Sequence, residues 1–234
     1  MAYRGGASQV NTASGTSCAV TVTGIGIQLN DVILIIPGTA NSAKTFTYPT
    51  GFIAVPGLSN ISITSNGSGT MGIAYKIATS TEVSASTLTT TTNDSPGWMS
   101  CHVRVYSGRN TASPFSEVST TGTTAATGNP LNFTLTGLTA VAGDDIVAVV
   151  GINATEATTY TTPPAGFANT ALLDNGGNFM PNFAVADEVN SSGGATGNLT
   201  GAVATFGGSY GYGGYVLSLA APSASGIAAY YFRS

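Results

Sequence analysis

Hydrophobic positions fall in short runs separated by polar turns, and none forms a long stripe at helical spacing. Residues 30–38, "NDVILIIPG", and residues 143–151, "GDDIVAVVG", each place a tight polar turn before an unbroken apolar run. Such runs predict strands whose faces are both covered. In "WMSCHVRVYSG" the pattern alternates instead: Met99, Cys101, Val103 and Val105 share one face, and Trp98, Ser100, His102, Arg104 and Tyr106 share the other. Between the runs stand turn segments such as "PTG", "SNGSG", "NDSPG", "PPAG" and "SSGG". Strands punctuated in this way predict an all-β fold, a sandwich or barrel.

The two similar phrases belong to a longer parallel. Residues 22–38, "VTGIGIQLNDVILIIPG", line up with residues 135–151, "LTGLTAVAGDDIVAVVG", after one inserted residue. "KTFTYPTGF" answers "TTYTTPPAGF", and "IAYKIATSTEV" answers "NFAVADEVNSS". The expected organisation is a jelly-roll-like β-sandwich built from two repeated halves, residues 17–108 and 130–221. A polar arm, residues 1–16, precedes it, and a docking tail, residues 222–234, follows. Either one sandwich takes strands from both halves or two sandwiches stand in tandem. The single duplicated domain, 17–221, is the preferred form. Residues 109–129 serve as linker or crossover, and Pro114, Phe115 and Val118 predict that this segment packs against something.

Composition narrows the functions. Charged residues make up only 7%, and the six Lys and Arg against ten Asp and Glu leave a net charge of −4. A basic patch able to neutralise a phosphate backbone is not expected, so nucleic acid is not an expected partner. No apolar run reaches the roughly 18–20 residues of a membrane helix. The opening "MAYRGGASQVNTASG" lacks the apolar core of a signal peptide, so export by the usual route is not expected. Cys18 and Cys101 are the only cysteines, and two thiols so spaced read as buried small hydrophobes more readily than as a bridge.

Candidate chemistry is sparse. His102 is the only histidine, and no motif supplies the partner that catalysis would need. With Trp98, Arg104 and Tyr106 it forms either a half-buried sheet face, the simpler reading, or a contact surface, which its composition also suits. Tyr210, Tyr212 and Tyr215 lie in "GGSYGYGGY", where a glycine-rich loop would present them to a sugar or protein, or place them at the edge of the core. Asp144-Asp145 and Asp187-Glu188 are the adjacent acid pairs. Carboxylate pairs serve glycoside hydrolysis or calcium, but Asp144-Asp145 has Asn30-Asp31 as its counterpart, which fits a turn better. Tyr230, Tyr231 and Phe232 close the chain and suggest docking against another subunit. No P-loop, zinc spacing or nucleophile elbow occurs. The chain therefore reads as a non-enzyme with no cofactor and no bound metal.

Several of these motifs, in their order, resemble a group of bacteriophage virion structural proteins of β-sandwich fold. They are Gly15-Thr16-Ser17, Asn30-Asp31-Val32-Ile33-Leu34, Pro49-Thr50-Gly51-Phe52, Tyr75-Lys76-Ile77-Ala78 with Glu82, and Tyr106-Ser107-Gly108. Asn30 and Phe52 depart from the residues usual at their positions. The resemblance implies a virion protein made in a bacterial cytoplasm and used outside it, most simply one that decorates or cements the capsid. Its partners would be the major capsid protein, other virion proteins and copies of itself, a trimer being expected. A tail or fibre protein that binds a host-surface glycan is the alternative. A carbohydrate-active enzyme using the acid pairs is the third reading.

Overall fold

The computed structural model describes residues 3–10, 15–64, 69–93, 98–153, 157–173, 181–189, 191–205 and 209–222. The first half contains β1 (Tyr3–Val10), β2 (Ser17–Thr21), β3 (Val32–Thr39), β4 (Phe46–Thr47), β5 (Ile53–Ala54), β6 (Ile61–Ile63), β7 (Gly69–Met71), β8 (Ala74–Ile77), β9 (Thr87–Thr92) and β10 (Met99–Tyr106). One helical turn, α1 (Ser80–Val83), follows β8. It starts where Thr79 and Glu82 form a reciprocal capping box. Residues 109–129, expected as a linker or crossover, instead hold a long strand, β11 (Phe115–Thr127), which pairs with residues 209–219 and is counted with the second half. The second half then holds β12 (Leu131–Leu135), β13 (Thr139–Ala140), β14 (Asp145–Asn153) and β15 (Ala157–Thr162). It continues with β16 (Ala168–Leu173), β17 (Pro181–Glu188), β18 (Gly194–Ala195), β19 (Leu199–Thr205) and β20 (Ser209–Leu219).

The all-β, sandwich-like fold expected from the sequence is the fold observed. All recorded strand pairings are antiparallel. In the first half the larger sheet runs β1-β10-β3, and β3 then pairs with β8, which pairs with β5, and separately with β7. In the second half the larger sheet runs β11-β20-β14-β17-β16. The smaller sheets run β2-β9-β4 and β12-β19-β15. The path β1-β10-β3-β8-β5 thus has the same order as β11-β20-β14-β17-β16, whereas β6, β7 and the β13-β18 pair have no counterpart among the described strands.

Each described sheet is drawn from one half only, which corrects the preferred arrangement of one sandwich sharing strands from both. The reason lies in the doubly apolar strands. Along β3, Ile33 and Ile35 face β2 and β9 within the first sandwich, beside Cys18, Val20 and Leu88. Val32, Leu34 and Ile36 face the other way, toward Val147 and Val149 of β14 and Val185, Leu217 and Leu219. Ile146, Ala148, Val150 and Ile152 of β14 face Leu131, Phe133 and Leu199 inside the second sandwich. The four larger sheets therefore stack, beside the small β13-β18 pair, and the middle core joins the halves into one unit. Phe115 and Val118 pack against that middle core, Phe115 edge-on to Tyr75 with ring centroids 4.8 Å apart.

The arm also needs correction, because residues 3–10 are a paired strand. Ladder partners run from Tyr3 opposite Tyr106 to Val10 opposite Ser100, and Arg4 Nε binds Asp31 Oδ2 at 2.7 Å.

The paired phrases end in Gly38 and Gly151 because the halves approach there. A Cβ on Gly38 would lie 1.9 Å from the ring of Phe183, and one on Gly151 would lie 2.9 Å from Ile63. The turn before each strand is also shared. Asn30 and Gly143 have φ of 67° and 90°, and the following carboxylates of Asp31 and Asp144 accept from the backbone N–H of Gln28 and Val141. Asp144 further accepts from Ser218 Oγ at 2.7 Å and Ala221 N at 2.8 Å. Of the acid pair, Asp144 caps the turn and Asp145 opens β14.

Gly38→Ala is expected to lower stability by about 1–3 kcal/mol through overpacking. Adding Phe183→Leu should recover part of that loss, measured by urea unfolding of both variants.

Candidate functional site

The described residues that gather most polar chemistry lie between the two sandwiches. His102, Arg104 and Tyr106 share one face of β10, as the alternation predicts, and all three are buried. Arg104 Nη1 forms an ion pair with Asp187 Oδ1 of β17, with both side chains fully enclosed. Tyr106 donates to the same Oδ1 at 2.8 Å. Arg104 Nη2 donates to the carbonyl of Asn169. That carbonyl is placed by a break in β16: register shifts between Ala168 and Ala171, and Asn169 has φ of 47°, a conformation asparagine tolerates. The ring of Tyr3 lies under the guanidinium, 4.5 Å from its carbon to the centroid. His102 Nδ1 is 2.7 Å from Ser8 Oγ. Asp187 Oδ2, Arg104 Nε and His102 Nε2 have no hydrogen-bond partner among the described residues.

Burial sets the protonation of this cluster. Desolvation raises the Asp187 carboxyl to about 6, against the opposing pull of Arg104 and the Tyr106 hydroxyl. Desolvation, helped by the charge of Arg104, lowers His102 to about 3, so its imidazole is neutral near pH 7. The Tyr106 phenol is pushed up by burial and by Asp187. A neutral imidazole, a held cation and a carboxylate with one free oxygen form a weld more readily than an acid–base site.

A second ionic group fastens the linker to the second half. Arg109 Nη1 donates to the Gly143 carbonyl at 3.0 Å, and its Nε lies 3.5 Å from Asp145 Oδ2. At the far side of the first half, Lys76 Nζ binds Glu82 Oε1 at 2.6 Å.

The other sequence candidates separate. Trp98 is half-buried just before β10. Tyr210, Tyr212 and Tyr215 lie in strand β20, not in a loop, and all three are buried. Of the two readings, burial fits the core edge and not exposed aromatics, and the expected loop is a strand. Tyr212 accepts from Thr134 N at 3.1 Å. Tyr215 reaches into the first half, where its hydroxyl lies 2.8 Å from the carbonyls of Ser59 and Met71 and accepts from Ile61 N at 3.2 Å. Tyr230, Tyr231 and Phe232 lie outside the described residues. The face of His102, Arg104 and Tyr106 is covered by the chain's own second half, so in the single chain it is not open to another molecule. Asp187-Glu188, whose sequence fits a turn as Asp144-Asp145 does, instead ends strand β17, with Asp187 facing Arg104. Cys18 and Cys101 are free and buried. Tyr3, Asn169 and Arg109 carried no sequence signal, because their roles depend on a bulge, a carbonyl and a linker path.

Among the described residues no group of three or more His, Cys, Asp or Glu is arranged to hold a metal ion, and no helix is long and apolar enough to cross a membrane. Compared with protein-family models, curated proteins and solved structures, the chain matches none of them.

Two titrations oppose each other. The folded Asp187 carboxyl keeps its proton to higher pH than its ordinary 3.8. Its stabilising contribution is therefore fully present below that value and lost as pH rises through about 6. His102 behaves the other way, its contribution present above its ordinary 6.5 and lost as pH falls toward about 3. Asp187→Asn should remove the first trend and leave the second, seen in unfolding free energies from pH 4 to 7. Asp187→Leu, which strands the Arg104 cation, is expected to cost about 3–5 kcal/mol. Arg104→Met combined with Asp187→Leu should restore much of that loss.

Proposed function

We propose that this protein is a non-enzymatic structural component of a bacteriophage virion, one that decorates or cements the capsid exterior as a double, jelly-roll-like sandwich. The observation that carries this reading is the character of the two outer faces. On the outer sheet of the first half, Ser17, Ala19 and Thr21 of β2 stand opposite Thr91, Thr89 and Thr87 of β9, all exposed. On the outer sheet of the second half, exposed Thr134 stands opposite exposed Thr200, next to exposed Asn132. These are ladders of short, uncharged side chains on a stack whose interior holds its charges in pairs. Contacts made by such faces depend on packing and neutral hydrogen bonds, so they vary little with ionic strength. That suits a particle assembled inside a cell and used outside it. The motif resemblance supports the same assignment, with the major capsid protein and other copies of this chain as partners and a trimer as the expected assembly.

One observation favours the alternative, a tail or fibre protein that recognises a host-surface glycan. A groove of about 340 Å³ lies where the linker crosses between the halves, lined by Pro56, Tyr75, Pro114, Phe115, Glu117 and Val118. Aromatic and proline surfaces beside a carboxylate suit a sugar. The buried tyrosines of β20 offer no such surface.

The deciding measurement is the copy number of this protein in purified particles, relative to the major shell protein. A ratio near that of the shell is expected. A handful of copies per particle would transfer the protein to tail or fibre, and absence from particles would overturn the virion assignment.

A further inference from the structure

We propose that Cys18 and Cys101 close an intramolecular disulfide when the chain folds in the presence of a small disulfide oxidant, clamping the outer sheet of the first sandwich to its inner sheet. This inference is independent of the virion assignment.

The two thiols are in different sheets, Cys18 on β2 and Cys101 on β10, and both are free and fully enclosed. One contact and the strand register place them in the same part of the interior. Cys18 Sγ donates to the Gln9 carbonyl at 3.3 Å, and Gln9 stands opposite Cys101 in the β1–β10 ladder. Thr90 stands opposite Cys18 in the β2–β9 ladder. Both side chains belong to the one buried cluster between these two sheets. At this flank of the sandwich β2 comes within 8 Å of β10, measured between Cα atoms. That is closer than the roughly 10 Å between stacked sheets and approaches the span a disulfide needs.

The exchange balances with oxidised glutathione. One cysteine thiolate attacks a glutathione sulfur, forms a mixed disulfide and releases one glutathione. The second cysteine thiolate then displaces the other glutathione and forms the protein S–S bond. Two protein thiols and one oxidised glutathione become one protein disulfide and two reduced glutathiones, which carry the two electrons and the two protons. In the folded chain both sulfurs are shielded, and burial pushes the Cys101 thiol well up, so thiolate is scarce and exchange is slow. The bridge is therefore set while β2 is still opening and closing over β10. A chain folded under reducing conditions keeps a dithiol core.

The experiment unfolds the purified, reduced full-length chain and refolds it in a buffer of oxidised and reduced glutathione. It then counts free thiols by alkylation under denaturing conditions with mass spectrometry. The expected product is a monomer about 2 Da lighter, with no alkylated cysteine and no retained glutathione. It should melt several degrees above the same protein after reduction, because the bridge closes a long loop of the unfolded chain. Native protein given the same oxidant without unfolding should react far more slowly. Cys18→Ala should show no such mass loss. Two alkylated cysteines after refolding, a persistent single glutathione adduct, or a bridged form that melts no higher would each overturn the proposal. The thiol count of the unmodified chain decides it even where the variant fails to refold.

Discussion

The structure depends on covering both faces of two strands at once. β3 and β14 are buried along their whole lengths, and no single sandwich interior can accept both faces of a strand. One face of each enters its own sandwich. The other, carrying Val32, Leu34 and Ile36 or Val147 and Val149, would meet water unless the second half covered it. Apolar burial stabilises by roughly 25 cal/mol per Å², so exposing this middle core would remove a large part of what holds either half. Face-to-face stacking follows from that requirement. Gly38 and Gly151 follow from the stacking, since each makes room for a side chain of the opposite half.

The polar cluster at the flank of the middle core does a different job. A buried arginine and carboxylate bring a desolvation cost that their attraction only partly offsets, and apolar residues would pack there as well or better. What an ion pair adds is registration. Arg104 meets Asp187 and the carbonyl of Asn169 in one relative placement of the sandwiches, whereas a purely apolar face tolerates sliding. Tyr215 acts likewise from the other half, its hydroxyl satisfied only by backbone groups of residues 59–71. Each half thus sends one anchored polar side chain into the other.

Much of this was legible in sequence, and particular residues show where legibility stopped. Alternation along β10 assigned Met99, Cys101, Val103 and Val105 to one face and His102, Arg104 and Tyr106 to the other, and the strand keeps both sets. The composition of the second set suggested a contact surface, and the surface it meets is the chain's own. The parallel of Asn30-Asp31 with Asp144-Asp145 pointed to a turn, and the structure shifts the match by one residue, to Gly143-Asp144. A left-handed residue followed by a carboxylate that caps its own backbone is a local device. The tyrosines of β20 were misread as a loop because glycine is common to turns and to strands that a neighbour approaches closely. The polar arm was misread because β1 lacks large apolar residues, and its place comes from pairing with β10.

Local patterning thus determined the β class, the strand faces and the turns, since each depends on side chains a few residues apart and on a backbone period of two. Only the tertiary structure decided what lies against each face. Period and composition state that a surface must be covered, but many surfaces satisfy that demand equally. The choice among them rests on contacts across the whole chain, such as Arg104 with Asp187, Gly38 with Phe183 and Tyr215 with Met71. Those pairings carry no local signal, because neither partner's neighbours in sequence are constrained by the other.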